Sequence, residues 1–120
     1  VLSVDQMIPQ VGQGALAVEC RADDAGVRAL LAAIEHAPSR RRVDAERAFL
    51  VELGGDCDLP AGAHARFEVG ASSGPLVLDA FLAGSGTAGA PFVRHVASGD
   101  DPADLGTAAA RHLRRALAAL

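Results

Sequence analysis

The segment with most chemical potential is Leu53-Gly54-Gly55-Asp56-Cys57-Asp58-Leu59-Pro60, which sets a cysteine among glycines and acids. A thiol on a glycine-rich connection has backbone freedom and access, the two things a nucleophilic sulfur needs. The aspartates on either side work against its ionisation, because nearby negative charge favours the neutral thiol. The end of a helix just before it acts in the same direction. Such a sulfur is poorly suited to rapid turnover as a thiolate. It suits a single reaction with a strong electrophile, after which the cysteine stays alkylated. The plainer alternative is an inert thiol in a structural or interaction domain, since free cysteines are commonly small buried hydrophobes. Cys20 lies too far off in sequence to form a CxxC pair with Cys57. It falls in a short apolar run, where it is expected to pack.

Other groups are less specific. Gly12-Gln13-Gly14-Ala15 lacks both the GxGxxG spacing and the GK[ST] ending of phosphate cradles, so it reads as a hinge or a loop of backbone donors. His36, His64, His95 and His112 show no ligand spacing with the cysteines or one another, and no metal is expected. Asp23-Asp24 and Asp100-Asp101 look like catalytic carboxylate pairs, but each precedes a helical pattern and is better explained as a cap. Arg40-Arg41-Arg42 opens a helix and reads as a solvated run or an anion contact.

The elements that must position these residues follow from periodicity. Ala15–Cys20 predicts a short buried strand with no partner close in sequence. Val27, Leu30, Leu31 and Ile34 form one helical stripe, which Pro38 is expected to end. Ser39 is a candidate N-cap for a second helix over residues 40–53, with Val43, Phe49, Leu50 and Leu53 buried and Glu46, Arg47 and Glu52 at polar positions. Gly54-Gly55 should close it. Beyond Pro60 the period becomes two: Ala63-Ala65-Phe67-Val69, then Leu76–Leu82, then Phe92–Val96, separated by Ser-Gly turns that suggest antiparallel hairpins. Asp101-Pro102 starts a last helix, with Leu105, Leu113, Leu117 and Leu120 on its buried side. The fold class is therefore α+β: a three-stranded antiparallel sheet covered on one face by helices, preceded by a strand and helix that do not belong to it.

Composition narrows the partners. Fifteen acids oppose 11 bases, for a net charge of −4, and every base is arginine. That balance disfavours a nucleic-acid module, which needs a basic face to displace counterions. Helix, three strands, helix is also the order of the double-stranded RNA-binding domain, yet the start of the last helix reads Gly99-Asp100-Asp101-Pro102-Ala103-Asp104, the wrong charge for phosphate. No apolar run approaches the roughly 20 residues of a membrane span. A cytoplasmic setting is the expectation. The chain opens at Val1 in mid-pattern, which suggests a piece of a longer polypeptide.

Four stretches in order carry a resemblance: Ile8-Pro9-Gln10-Val11-Gly12-Gln13-Gly14-Ala15; Val18-Glu19-Cys20-Arg21; Val43-Asp44-Ala45-Glu46-Arg47-Ala48-Phe49-Leu50; and Gly55-Asp56-Cys57-Asp58-Leu59-Pro60-Ala61-Gly62-Ala63. Together they resemble the porphobilinogen deaminase (hydroxymethylbilane synthase) family. Gly55-Asp56-Cys57 stands in place of the family's Gly-Gly-Cys, with the ten-residue step from Arg47 kept. The resemblance implies a transferase of haem and tetrapyrrole biosynthesis, joining four porphobilinogen molecules into hydroxymethylbilane with release of ammonia. It implies a dipyrromethane primer held by a thioether to Cys57, Arg47 near cofactor and substrate carboxylates, and Gln13 and Gly14 lining the cleft. It also implies that residues 1–38 are the tail of a second domain plus the strand and helix crossing back to a first, while 39–120 form the C-terminal cofactor-carrying domain. The catalytic aspartate and most cleft arginines of the family lie in those earlier domains. The chain alone is thus expected to be inactive, a monomer, and dependent on the missing N-terminal domains as partners.

Overall fold

The computed structural model describes residues 1–55, 59–84 and 89–120. Helices α1 (Ala25–Ile34) and α2 (Ala37–Leu53) precede strands β1 (Ala61–Phe67), β2 (Leu76–Ala83) and β3 (Phe92–Gly99), and α3 (Pro102–Ala118) follows. The acid pairs are caps, as expected: Asp24 Oδ1 accepts from Val27 N at 3.0 Å and Asp101 Oδ1 from Asp104 N at 2.9 Å. Gly54 ends α2 in the left-handed region, φ +113°, where a side chain would be strained.

Two boundaries differ from the sequence expectation. Pro38 does not end α1; it sits in the first turn of α2, where its missing N–H has no helical partner to lose. His36 is therefore the N-cap position, and Ser39 lies within the helix, accepting from Arg42 Nη2 at 3.0 Å. The second difference is the run Ala15–Cys20, which is exposed and forms no strand. A strand is held by its ladder, and among the described residues none runs beside this segment. Cys20 is exposed as a result, against the expectation that it packs. The stripe on α1 is likewise open, with Leu30 and Ile34 about 70% exposed, and α1 packs against none of the other described elements.

The sheet is antiparallel in the order β1-β2-β3, as the turn signals implied. Its register sets Ala63 opposite Ala80 and Ala80 opposite His95, so Ala61, Ala63, Ala65, Phe67 and their cross-strand partners share one face. That face meets α2 and α3 around Phe49, Leu76, Leu78 and Leu113, all fully buried. Leu105 joins the core, Leu117 only borders it, and Leu120 is exposed, against expectation. On α2, Ala45 rather than Val43 takes the fully buried place beside Phe49.

The two long helices approach closely because α3 offers small residues. A Cβ on Gly106 would overlap the Ala45 carbonyl oxygen and stand 2.7 Å from Phe49 N and 2.8 Å from Ala48 Cβ. At the helix ends, Arg111 Nε meets Glu52 Oε1 at 3.0 Å, and Arg114 Nη2 donates to the Glu52 carbonyl at 2.7 Å. The hydrogen bond from Arg111 holds the Glu52 carboxyl below the usual carboxylate range. At the other end of α2, Arg41 donates to the carbonyls of Gly74 (2.9 Å) and Asp100 (2.7 Å), its guanidinium lying 5.6 Å from the centre of the Phe67 ring. The basic run is thus engaged within the fold: Arg40 pairs with Glu35, and Arg42 with Ser39.

His95 of β3 stacks on His112 of α3 with ring centres 3.9 Å apart. Burial, and then the neighbouring imidazole, lower the His95 pKa below 6.5. The unfolded chain therefore binds this proton more readily, so the stabilisation is full above about pH 6.5 and is lost as pH falls through that value toward the lower folded one. Melting temperature should fall more steeply in this chain than in His95→Phe between about pH 7 and pH 5. Equal slopes would show that the pair does not couple to folding. Gly106→Ala should cost about 3 kcal/mol in a denaturant titration, since the obstruction is backbone of a facing helix.

Candidate functional site

Residues 8–14 pack against the C-terminal α+β unit, and one carboxylate organises the contact. Ile8 is buried, and the Pro9 carbonyl lies over Gly62 of β1. Val11 borders the main core. A turn then forms, with Gln13 N donating to Gln10 O at 3.1 Å and Ala15 N to Gly12 O at 3.0 Å. Gly12 (φ +71°) and Gly14 (φ +81°) adopt left-handed conformations, which explains the spacing of the two glycines.

Glu46 of α2 is 7% exposed. Its Oε2 accepts from Gly12 N at 2.8 Å, and its Oε1 accepts from Ala65 N, also at 2.8 Å. β1 is an edge strand, and the Ala65 donor would otherwise lack an acceptor on that side. The carboxylate therefore closes part of the sheet edge and holds the Gly12 turn with the same group. Sequence reading assigned Glu46 to the polar side of α2. Its spacing from Phe49 and Leu53, three and seven positions on, places it on their stripe, which was the signal available.

Of the expected site residues, Arg47 is exposed on α2, one position beyond Glu46. Gln13 and Gly14 are exposed on the turn that Glu46 holds. The Gln13 N–H is engaged inside that turn. Gln13 also borders a shallow groove of about 440 Å³ with Leu2, Met7, Pro9 and Gln10. Cys57 lies outside the described residues, on the connection between α2 and β1. Both flanks of that connection are anchored, by the Gly54 cap and by Ala83 N donating to Pro60 O at 2.9 Å. Glu46 thus holds the turn that carries Gln13 and Gly14, and Arg47 is its exposed neighbour on α2. Across the outer face of the sheet, Arg66 Nε pairs with the buried Asp79 at 3.3 Å, and Arg94 Nη1 donates to Asp5 O at 2.8 Å. Among the described residues no group of three or more His, Cys, Asp or Glu could hold a metal ion, and no helix is long and apolar enough to cross a membrane.

Comparison with known proteins bears on the same segments. Residues 40–115 match the family model described as porphobilinogen deaminase, C-terminal domain, and residues 1–29 match the one described as its dipyrromethane cofactor binding domain. A porphobilinogen deaminase of Desulforudis audaxviator is 44% identical over 93% of this chain and 35% of the relative. One of Brevibacillus brevis is 42% identical over 93% and 35%. One of Sphingopyxis alaskensis is 51% identical over 67% of this chain and 24% of the relative. The chain thus spans about a third or less of the curated relatives it matches.

The close fit of residues 8–12 on β1 depends on Gly62. A Cβ there would sit 2.5 Å from Phe81 Cε1 and 2.6 Å from the Pro9 carbonyl oxygen. Gly62→Ala should lift this segment at a cost of about 2 kcal/mol, seen as faster proteolysis at residues 8–14. Unchanged cleavage there would show that the segment is held by other contacts.

Proposed function

The chain belongs to the porphobilinogen deaminase family, and on that premise we propose that it is the C-terminal part of an enzyme joining four porphobilinogen molecules into hydroxymethylbilane, with release of ammonia. Cys57 carries the dipyrromethane primer through a thioether. Arg47 receives carboxylates of primer and substrate, and Gln13 and Gly14 line the cleft. Residues 1–38 comprise the end of a second domain with the strand and helix that return to a first, and 39–120 form the cofactor-carrying domain. The setting is cytoplasmic and the assembled enzyme monomeric.

The observation that supports this reading is the tie from Glu46, the residue before Arg47 on α2, to the Gly12 turn that carries Gln13 and Gly14. That hydrogen bond joins the two matched family segments. The residues present fit a primer rich in carboxylates. Arg47 is exposed, and its planar fork of donors suits a carboxylate better than an ammonium would. When bound, the primer supplies the pyrrole carbon to which the first substrate is joined. The chain's own part is to hold and orient. A sulfur that forms its bond once needs access more than a low pKa, so the flanking acids Asp56 and Asp58 are compatible with it. The open stripe of α1 and the unpaired run Ala15–Cys20 are the surfaces on which the earlier domains would dock. With the catalytic aspartate and most cleft arginines of the family in those domains, the isolated chain should not turn over porphobilinogen.

Intact mass under denaturing conditions tests the reading. Co-produced with the N-terminal domains, the chain should carry an adduct the size of two linked pyrroles, mapped to the Cys57 peptide. Cys57→Ala should abolish both adduct and turnover. A fully primed and active Cys57→Ala enzyme would overturn the assignment.

A further inference from the structure

We propose that Glu46 is a positioning residue for the reaction above, its buried carboxylate setting where the Gly12–Gly14 turn stands relative to Arg47. The proposal rests on that functional reading and goes beyond it, because both Glu46 oxygens are engaged by main-chain N–H groups. Covering the edge of β1 would need only one oxygen, the one that accepts from Ala65 N. The other oxygen reaches 34 residues back to Gly12 N at the same 2.8 Å. A carboxylate is the side chain that offers two acceptors of this kind and no donor. A glutamine would turn its amide hydrogens toward one of the two N–H groups. An apolar residue would leave two partly or fully buried donors without acceptors.

The geometry links two parts of the proposed site. Arg47 follows Glu46 on the same helix, so its Cα is fixed relative to the carboxylate. Ala65 belongs to β1, which is itself held along its length by pairing with β2 from Ala61 to Phe67. Gly12 immediately precedes Gln13. A shift of the Gly12 turn would change where Gln13 and Gly14 stand relative to α2 without altering any of the expected site residues. Because the turn holds substrate and does not supply a reacting atom, loosening it should weaken binding more than the chemical step.

The test uses Glu46→Gln in the full-length enzyme that contains this chain. Amide exchange in the peptide spanning residues 8–15 should speed up by about tenfold, while the central-strand peptide 76–83 stays unchanged. The KM for porphobilinogen should rise about tenfold, with kcat per primed molecule kept within about twofold. A merely structural role would lower the fraction of folded enzyme and leave KM where it was. Glu46→Asp, which keeps the charge but is too short to reach both donors, serves if the glutamine variant does not fold, and should move exchange and KM the same way. Unchanged exchange at 8–15 overturns the proposal, as does faster exchange with an unchanged KM. In either case a Cys57→Ala enzyme that lacks the primer leaves the functional reading standing. A Cys57→Ala enzyme that is primed and active overturns that reading, and the proposal with it.

Discussion

A buried carboxylate with two main-chain donors is the constraint on which the rest of this molecule depends. Glu46 is removed from water, so the fold must satisfy it, and it does so with N–H groups from two distant segments. Charge-assisted hydrogen bonds of this kind are shorter and stronger than neutral ones, and breaking either leaves a buried polar group exposed to its full desolvation cost. The consequence is that α2, β1 and the Gly12 turn behave as one body. Arg47, Gln13 and Gly14 gain a common frame although the chain separates them by more than 30 positions.

The helical layer imposes a second condition on that frame. α2 can present Glu46 to β1 only if the helix itself is held in place, and the near contact at Gly106 provides this with α3. Small residues there exchange side-chain area for proximity, bringing backbone against backbone as interiors at crystal-like density require. Arg111 and Arg114 then fix the far ends of the same two helices through Glu52.

Much of this was legible beforehand where one local rule operated alone. The caps at Asp24 and Asp101, the glycine stop after Leu53 and the three alternating strands each follow from neighbours in sequence. The misses share a different cause. Pro38 is compatible with a helix end and a helix start, and only the geometry of α2 decides between them. The run Ala15–Cys20 has strand composition, but a strand exists only where another lies beside it. Glu46 escapes local rules because an acid on a helix usually faces water; its burial depends on two donors that no local pattern connects to it. Arg47, Gln13 and Gly14 stand out only through the family resemblance, because periodicity singles out none of them.

The ties contributed by Arg41, Arg94 and Arg114 all end on carbonyl oxygens of the main chain. A carbonyl neither titrates nor depends on the side chain of the residue that owns it. A guanidinium stays charged across the accessible pH range. These links are accordingly one-sided in what they demand of the sequence: the arginine must remain, whereas Val4, Asp5 or Asp100 could drift to another residue without loosening the acceptor. Substitution of the arginines by lysine would keep the charge and lose the paired geometry. Variation among related chains should therefore gather on the accepting side of each link and spare the donor.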